Sequence, residues 1–145
     1  RRYATSMIIS AVPKEAVGVV WAGVSRVMQK SVETSGGKYH IDDLYHGIQG
    51  GLYVLWVIME EEKVIAAITT RVINYPGKKA MAMDWLGGSR MKEWLPMAQK
   101  TMESFAKDNK CTHLEAYGRK AWGRWLGKYG WDPEYIAYRM ELKDG

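Results

Sequence analysis

The sequence has very little cysteine and no long apolar run. Its single cysteine, Cys111, excludes an intramolecular disulfide framework and is compatible with a reducing compartment. The longest apolar run, Leu52 to Met59, is far shorter than the ~20 residues that a membrane-spanning helix needs. An arginine pair opens the chain, but Pro13-Lys14-Glu15 interrupts the apolar stretch behind it, and no small-residue cleavage site follows. We therefore expect a protein without a membrane partner, located in the cytoplasm.

Histidine is scarce as well, with three residues in the chain. His40 and His46 are six positions apart, which does not match the four-residue spacing of a helical zinc pair. No second cluster of metal-binding residue types accompanies them. Neither a metal nor a covalently attached cofactor is therefore expected.

Phenylalanine is rare, although other large side chains are abundant. One Phe stands against seven Trp, nine Tyr and nine Met in 145 residues, more Trp and Met than we expect one core to absorb. The excess favours an interface, so a homo-oligomer or a protein partner stays open. The length predicts one domain, 1–145, and 47% hydrophobic with 26% charged residues is typical of globular proteins. The net charge of +5 permits an anionic partner without requiring one.

Hydrophobic periodicity divides the chain into strands and helices. Helices are predicted where apolar residues recur at helical spacing, and strands where β-branched and apolar runs end at glycine, proline or charged turns. The predicted strands are Tyr3–Val12, Leu52–Met59, Val64–Ile73, Lys79–Leu86, Thr112–Tyr117 and Tyr135–Leu142. The predicted helices lie between Pro13 and Gly36, from Ile41 to Gln49, from about Met91 to Phe105 and from Ala121 to Tyr129. This β-α-α-β-β-β-α-β-α-β order predicts an α+β fold with a mixed, mostly antiparallel sheet flanked by helices.

The element order and one local motif resemble a known family. In Trp125-Leu126-Gly127-Lys128-Tyr129-Gly130-Trp131, an aromatic-rich helix end leads through glycine to an aromatic residue that opens the last predicted strand. Order and motif together resemble the GNAT (Gcn5-related N-acetyltransferase) fold. The string from Tyr117 to Arg124 is similar to GNAT-like proteins encoded near the structural genes of tailed phages. Membership of that branch would imply a location in the host cytoplasm or in the virion.

The resemblance implies acetyl-CoA as the cofactor, with acyl-CoA and an amine acceptor as partners. In the family, a splayed fourth strand pairs with the pantetheine arm, and a Gly-rich loop presents backbone N–H groups to the pyrophosphate. The candidate cofactor-binding residues are Trp85, Leu86, Gly87, Gly88, Ser89, Arg90, Arg119 and Arg124. The family's Arg/Gln-x-x-Gly-x-Gly/Ala spacing is absent, because bulky residues follow from Met91 to Pro96. An alternative stays open, in which Gly87-Gly88 simply turns the strand into the helix.

The candidate catalytic residues also depart from the family pattern. Leu126 occupies the position where many members have the Tyr that protonates the leaving thiolate, and the nearby Tyr129 is expected in the core. Asp84 and Glu115, on neighbouring predicted strands, are the candidate general bases, because a base must lie near the protonated amine. In the alternative interpretation both are ordinary outward-facing strand carboxylates.

The last predicted helix mixes basic and aromatic side chains, a pattern that also suits nucleic acid. Arg124 and Lys128 share one helix face, while Trp122, Trp125 and Tyr129 face inward. Aromatic residues at this spacing are typical of a core, so nucleic acid is the less favoured partner. The 3′-phosphate and adenine of coenzyme A would suit the same basic patch.

Two functions are therefore predicted. The first is an acyl-CoA-dependent N-acetyltransferase with an atypical cofactor loop, which transfers acetyl to an unknown amine. The second is a catalytically inactive GNAT-fold protein with a structural or interaction role, associated with a phage. The two differ at one place: the enzyme needs an open groove between the fourth and fifth strands, and Trp85, Trp94 or Trp122 would fill that groove in the inactive protein.

Overall fold

The computed structural model describes residues 6–118 and 122–143, which form a five-stranded sheet with helices on both faces. The strands are β1 Met7–Val12, β2 Val54–Glu60, β3 Lys63–Asn74, β4 Lys79–Gly88 and β5 His113–Ala116. The helices are α1 Val17–Glu33, α2 Ile41–Gln49, α3 Met91–Asp108 and α4 Trp122–Leu126, with short 3-10 turns at Lys14–Ala16 and Gly127–Tyr129.

The sheet order follows the chain, β1-β2-β3-β4-β5. Each neighbouring pair from β1 to β4 is antiparallel, whereas β4 and β5 are parallel. The parallel step is possible because α3 crosses between β4 and β5. The predicted α+β class with a mixed, mostly antiparallel sheet is thereby confirmed.

The strands alternate between two cores, because successive side chains point to opposite faces of a sheet. In β2, Leu55 and Val57 contribute to the core beneath α1 and α2, whereas Trp56 and Ile58 contribute to the core beneath α3. The predicted apolar stripe of α1 supplies side chains to the first of these cores, including the fully buried Val24. Helical periodicity thus predicted the buried face of α1.

The predicted last strand, Tyr135–Leu142, is wrong for the part of the chain that the structure describes. No strand is present from 131 to 143. The segment is held by side chains instead. The indole N–H of Trp131 donates to Gln99 Oε1 on α3 at 2.9 Å, and the guanidinium of Arg139 donates to the Gly36 carbonyl after α1 at 3.1 Å. In the described residues, the segment forms no ladder with the short β5.

Two further predictions extend beyond the described residues. The predicted first strand begins at Tyr3 and the predicted last helix at Ala121, and both positions lie outside the described ranges. Within those ranges, no helix is long and apolar enough to cross a membrane.

Candidate functional site

β4 and β5 separate after four paired positions. Their parallel register runs from Ala80–His113 to Met83–Ala116. β4 continues to Gly88, and among the described residues β3 is its only strand partner there. Beyond Met83, the side of β4 that faced β5 therefore borders an opening, which is the splay that the enzyme hypothesis requires.

A β-bulge lies at the point of separation. Thr70 of β3 pairs with Met83, and Thr69 pairs with Trp85, so Asp84 is the extra residue on β4. A bulge re-aims the side chains that follow it. Trp85 accordingly packs against the core beneath α1 and α2, while Met83 and Leu86 contribute to the core beneath α3.

The opening is a groove of about 1480 Å³. It is bordered by α1, the turn after α1, the end of β4 and the segment from Ala116 to Gly118. Its described lining is strongly basic, with Asp84 as the one acidic side chain among the described residues. The basic side chains are Arg26, Lys30, Lys38, Lys63 and Arg71. A concave surface with this excess of positive charge attracts anionic ligands.

Packing requires both glycines at the end of β4. A Cβ at Gly87 would lie 2.4 Å from the Val27 carbonyl oxygen of α1. Gly88 has φ +133°, and a Cβ there would lie 2.4 Å from the Ile65 carbonyl oxygen of β3. These close approaches give the glycines a structural role in joining strand to helix, and both residues also line the groove. Their contact with a phosphate stays a prediction.

Arg90 and Ser89 complete the loop before α3. The Arg90 guanidinium donates to Glu93 at 2.8 and 3.0 Å and to Glu60 at 2.5 Å, and these hydrogen bonds raise the pKa of Arg90. Two carboxylates therefore balance its charge. The Ser89 N–H donates to Ile65, and the Ser89 carbonyl accepts the indole N–H of Trp94 at 2.8 Å.

The tryptophans border the groove without filling it. Trp94 is fully buried in the core beneath α3 and is not part of the lining. Trp85 stands at the side, edge-on to Tyr39 with ring centroids 5.1 Å apart. Trp122 also borders the groove. The aromatic side chains thus leave the space between β4 and β5 open.

The candidate base Asp84 is held by an arginine. Arg71 of β3 donates from Nε to Oδ2 at 2.7 Å and from Nη2 to Oδ1 at 3.0 Å. The Asp84 side chain is 11% exposed. Both carboxylate oxygens thus accept hydrogen bonds from one guanidinium, in the bidentate geometry of a strong arginine–carboxylate pair. The hydrogen bonds to Asp84 in turn raise the pKa of Arg71.

The other candidate base, Glu115, lies in a separate cluster on β5. Its carboxylate accepts the hydroxyls of Tyr75 at 2.8 Å and Tyr117 at 2.9 Å, and it lies 2.8 Å from His113 Nε2. Burial acts to raise the pKa of Glu115, but the three hydrogen bonds outweigh burial and hold that pKa below its usual value. Burial and the bond to Glu115 raise the pKa of Tyr117. The structure does not join Glu115 to Asp84 directly.

Several groove residues were not predicted from the sequence. Arg26 and Lys30 are four positions apart on α1, so their shared helix face was a usable signal. Tyr117 follows Glu115 at strand spacing, which also predicts a shared face. Arg71 carried no such signal, because its partner Asp84 is brought to it by the pairing of β3 with β4.

Of the basic patch predicted on the last helix, the described residue Arg124 does not contribute to the lining of the groove. Arg124 is exposed on α4 and is not part of the described lining, and Arg119 lies outside the described residues. The inward face of the helix agrees with the core interpretation. Trp125 and Tyr129 pack against the core beneath α3, with ring centroids 5.7 Å apart.

Comparison with known proteins decides the fold. No protein-family model matches the sequence, and no curated protein sequence matches it.

Solved structures do match the chain in fold. A ribosomal-protein-alanine N-acetyltransferase from Brucella melitensis superposes with a TM-score of 0.70 at 11% identity, and the match covers 95% of this chain and 100% of that protein's chain. A predicted acetyltransferase with acetyl-CoA from Clostridium acetobutylicum gives 0.69 at 15% identity, with 94% and 97% covered. A GNAT family acetyltransferase from Staphylococcus aureus gives 0.65 at 13% identity, with 94% and 99% covered. The chain has the GNAT fold.

Two residues occupy the positions where the sequence leads us to expect departures from the family pattern. Leu126, at the position where many members have a Tyr, borders the groove with an apolar side chain. Tyr129 packs in the core. The described residues contain no group of three or more His, Cys, Asp or Glu side chains arranged to hold a metal ion.

Proposed function

We propose that this GNAT-fold protein is an acyl-CoA-dependent N-acetyltransferase that transfers an acetyl group to an amine. The observation that carries the proposal is the separation of β4 from β5 after Met83, which opens a groove lined by five basic side chains and one acidic side chain among the described residues. A protein without transferase activity would not require such a groove. The basic lining of the groove matches the negative charge of the phosphates of coenzyme A.

The residues of the groove fit the two chemical parts of that ligand. Backbone groups of β4 beyond Asp84 border the opening and would pair with the amides of the pantetheine arm. Arg26, Lys30 and Lys63 would hold the phosphates through charge. Bound acetyl-CoA would supply the acetyl group as an activated thioester. The apolar side chains of Leu95 and other lining residues would exclude water from that end of the groove.

The amine is proposed to bind on the α1–α2 side of the sheet. Tyr39, Trp85 and Tyr53 border the groove there, next to the Arg71–Asp84 pair. Holding the amine against the thioester would provide most of the rate, because positioning converts a bimolecular step into an effectively unimolecular one.

Asp84 and Glu115 are both retained as candidate bases. Asp84 lines the groove, with both oxygens engaged by Arg71. Glu115 lies outside the described lining, where Oε1 accepts the hydroxyls of Tyr75 and Tyr117 and Oε2 lies against His113. Either carboxylate would attract the ammonium form of the acceptor and take its proton once the amine is positioned. If Glu115 takes the proton, Asp84 would serve to orient Arg71.

Titration calorimetry with acetyl-CoA tests the binding step. We expect measurable heat, and a loss of about tenfold in affinity at low salt in Lys30→Glu, because a phosphate-facing cation becomes an anion. The matched control is Lys100→Glu, an exposed α3 residue outside the described lining, which should keep wild-type affinity. Absence of heat and of thermal stabilisation at millimolar acetyl-CoA would refute the proposal.

A second candidate function is a GNAT-fold interaction protein without transferase activity, of the kind encoded near tailed-phage structural genes. It is supported by the segment after Trp131, in which Tyr138 is 91% and Leu142 is 84% exposed. It predicts a protein partner and no acetylation of any amine. Turnover of acetyl-CoA with a panel of amines by the purified chain would exclude it.

A further inference from the structure

A hydrogen-bonded cluster lies on one face of β5. His113, Glu115 and Tyr117 stand at alternate positions of β5 and of the residue that follows it, so their side chains share a face. Tyr75, directly after β3, joins them. Glu115 is the centre of the cluster: Oε1 accepts the hydroxyls of Tyr75 at 2.8 Å and of Tyr117 at 2.9 Å, and Oε2 lies 2.8 Å from His113 Nε2.

Of the members of this cluster, Tyr117 is the one that borders the groove. The Glu115 side chain is 11% exposed and lies outside the described lining. A hydroxyl oxygen can accept a proton while the hydroxyl donates its own. The Tyr117 hydroxyl therefore provides a path from the groove to the Glu115 carboxylate that the lining itself does not provide.

The charge state of the two partners suits such a path. Burial and the hydrogen bond to Glu115 raise the pKa of Tyr117, so its hydroxyl keeps its proton at neutral pH. Burial acts to raise the pKa of Glu115, but its three hydrogen bonds lower that pKa below the ordinary value, so the carboxylate is ionised. A neutral donor thus faces an ionised acceptor. Other ionisable groups that act on the two tyrosines through their charges include Asp84, Arg71, Glu134 and Tyr135.

We propose that Tyr117 relays a proton from the acceptor ammonium in the groove to Glu115. The proposal rests on the proposed acetyl transfer. The N–H bond of the ammonium breaks and its proton goes to the Tyr117 oxygen, while the Tyr117 hydroxyl passes its own proton to Glu115 Oε1. The electron pair of the broken bond stays on nitrogen as the lone pair that acyl transfer needs. The ammonium becomes a neutral amine, Glu115 becomes a neutral carboxyl, and Tyr117 remains a phenol.

Two tyrosines of the cluster form a matched pair for the test. Tyr117→Phe and Tyr75→Phe each remove one hydroxyl from the same oxygen of Glu115, but Tyr117 borders the groove and Tyr75 lies outside its described lining. With saturating acetyl-CoA and amine near neutral pH, Tyr117→Phe should lower kcat by about a hundredfold, because the relay is lost. Tyr75→Phe should lower kcat by about threefold, because it only removes a hydrogen bond to the carboxylate.

The pH profile separates a relay from a structural role. As the pH rises toward the pKa of the amine, more of the acceptor has already lost its proton, and less depends on the relay. The deficit of Tyr117→Phe against the wild type should therefore shrink with increasing pH. A deficit that is constant across the pH range would overturn the proposal, as would equal values of kcat for the two Phe variants.

NMR titration of the Glu115 side-chain carboxyl tests the path without acetyl-CoA. Each hydroxyl stabilises the ionised carboxylate, so both Phe variants should raise the pKa of Glu115. An unchanged pKa in Tyr117→Phe would show that the hydrogen bond is absent and would overturn the relay. The wild type separates the two levels of the hypothesis. If it acetylates no amine, the proposed function fails and the relay with it; if it acetylates an amine and Tyr117→Phe does so equally fast, the relay alone fails.

Discussion

The two halves of β4 belong to one strand but have different surroundings. From Lys79 to Met83 the strand is paired on both sides, and Ala80, Met81 and Ala82 are fully buried. From Asp84 to Gly88 it is paired with β3 and borders the groove. One inserted residue at the bulge separates the two halves. The change of register therefore coincides with the point at which a core strand becomes the edge of the groove.

The difference also extends to the neighbouring elements. The first half of β4 contacts β3 and β5 along its length, whereas α1 closes against the second half. Ser31 of α1 donates its hydroxyl to the Leu86 carbonyl at 2.6 Å, and Gly87 approaches the backbone of α1 at Val27. The second half therefore depends on glycine and on α1 for its position, while the first half depends on sheet pairing.

The largest loss of stability is expected when a side chain is added at Gly88, at the end of the second half of β4. Gly88→Val should lower the free energy of unfolding by about 4 kcal/mol, because φ +133° strains any L side chain and its Cβ would overlap the Ile65 carbonyl. Urea denaturation monitored by tryptophan fluorescence measures the change. Gly77→Ala is the control, since a Cβ at Gly77 meets nothing within 4 Å. Equal stability of the two variants would show that the second half is not held in this conformation.

A smaller effect is expected where the two halves meet. Asp84→Asn removes the charge opposite Arg71 and should cost about 1–2 kcal/mol of unfolding free energy, since a bidentate, largely buried ion pair loses one partner. The double variant Arg71→Gln/Asp84→Asn should recover part of this loss of stability.

The same Asp84→Asn variant also separates the two candidate bases. If Glu115 is the base, Asp84→Asn should alter the KM for the amine more than kcat. A loss of kcat of a hundredfold or more would instead identify Asp84 as the base.

The smallest change in stability is expected for Glu115 on β5, and this change depends on pH. The pKa of Glu115 is lowered in the folded protein, so its contribution to stability is complete above its ordinary pKa of 4.5 and disappears as the pH falls through the lower folded value. Glu115→Gln should remove this part of the pH dependence. Urea midpoints of both proteins between about pH 6 and about pH 3 give the comparison. Parallel curves would show that Glu115 is not stabilised as described.

Much of the fold was predictable because its signals are local. The apolar spacing of α1 identifies its buried face, and the continuous apolar run of β2 indicates a strand buried on both faces, without reference to the rest of the chain. The predicted order of elements up to α4 agrees with the structure. The segment 135–142 shows the limit of this reasoning, because its alternation is real but a strand also requires a partner.

The candidate site was predicted in part. Asp84 to Ser89 and Leu126 border the groove, and their contact with a cofactor or an amine stays a prediction. The basic residues were expected near the last helix, yet those of the described lining lie on α1, in the turn after α1 and on β3. Local spacing on α1 shows that Arg26 and Lys30 share a face, but it does not show what that face meets.

By itself, the sequence determined the secondary structure, the two-faced burial and the glycine pair at the strand end, because each depends on side chains within one or two turns or on alternate positions. Tertiary structure decided the bulge at Asp84, the pair with Arg71, the basic lining of the groove and the absence of the last strand. Each of these depends on which residues meet across long separations, such as Ser31 with Leu86, 55 positions apart. No local pattern contains that information, since the contacts arise only when the sheet and helices pack together.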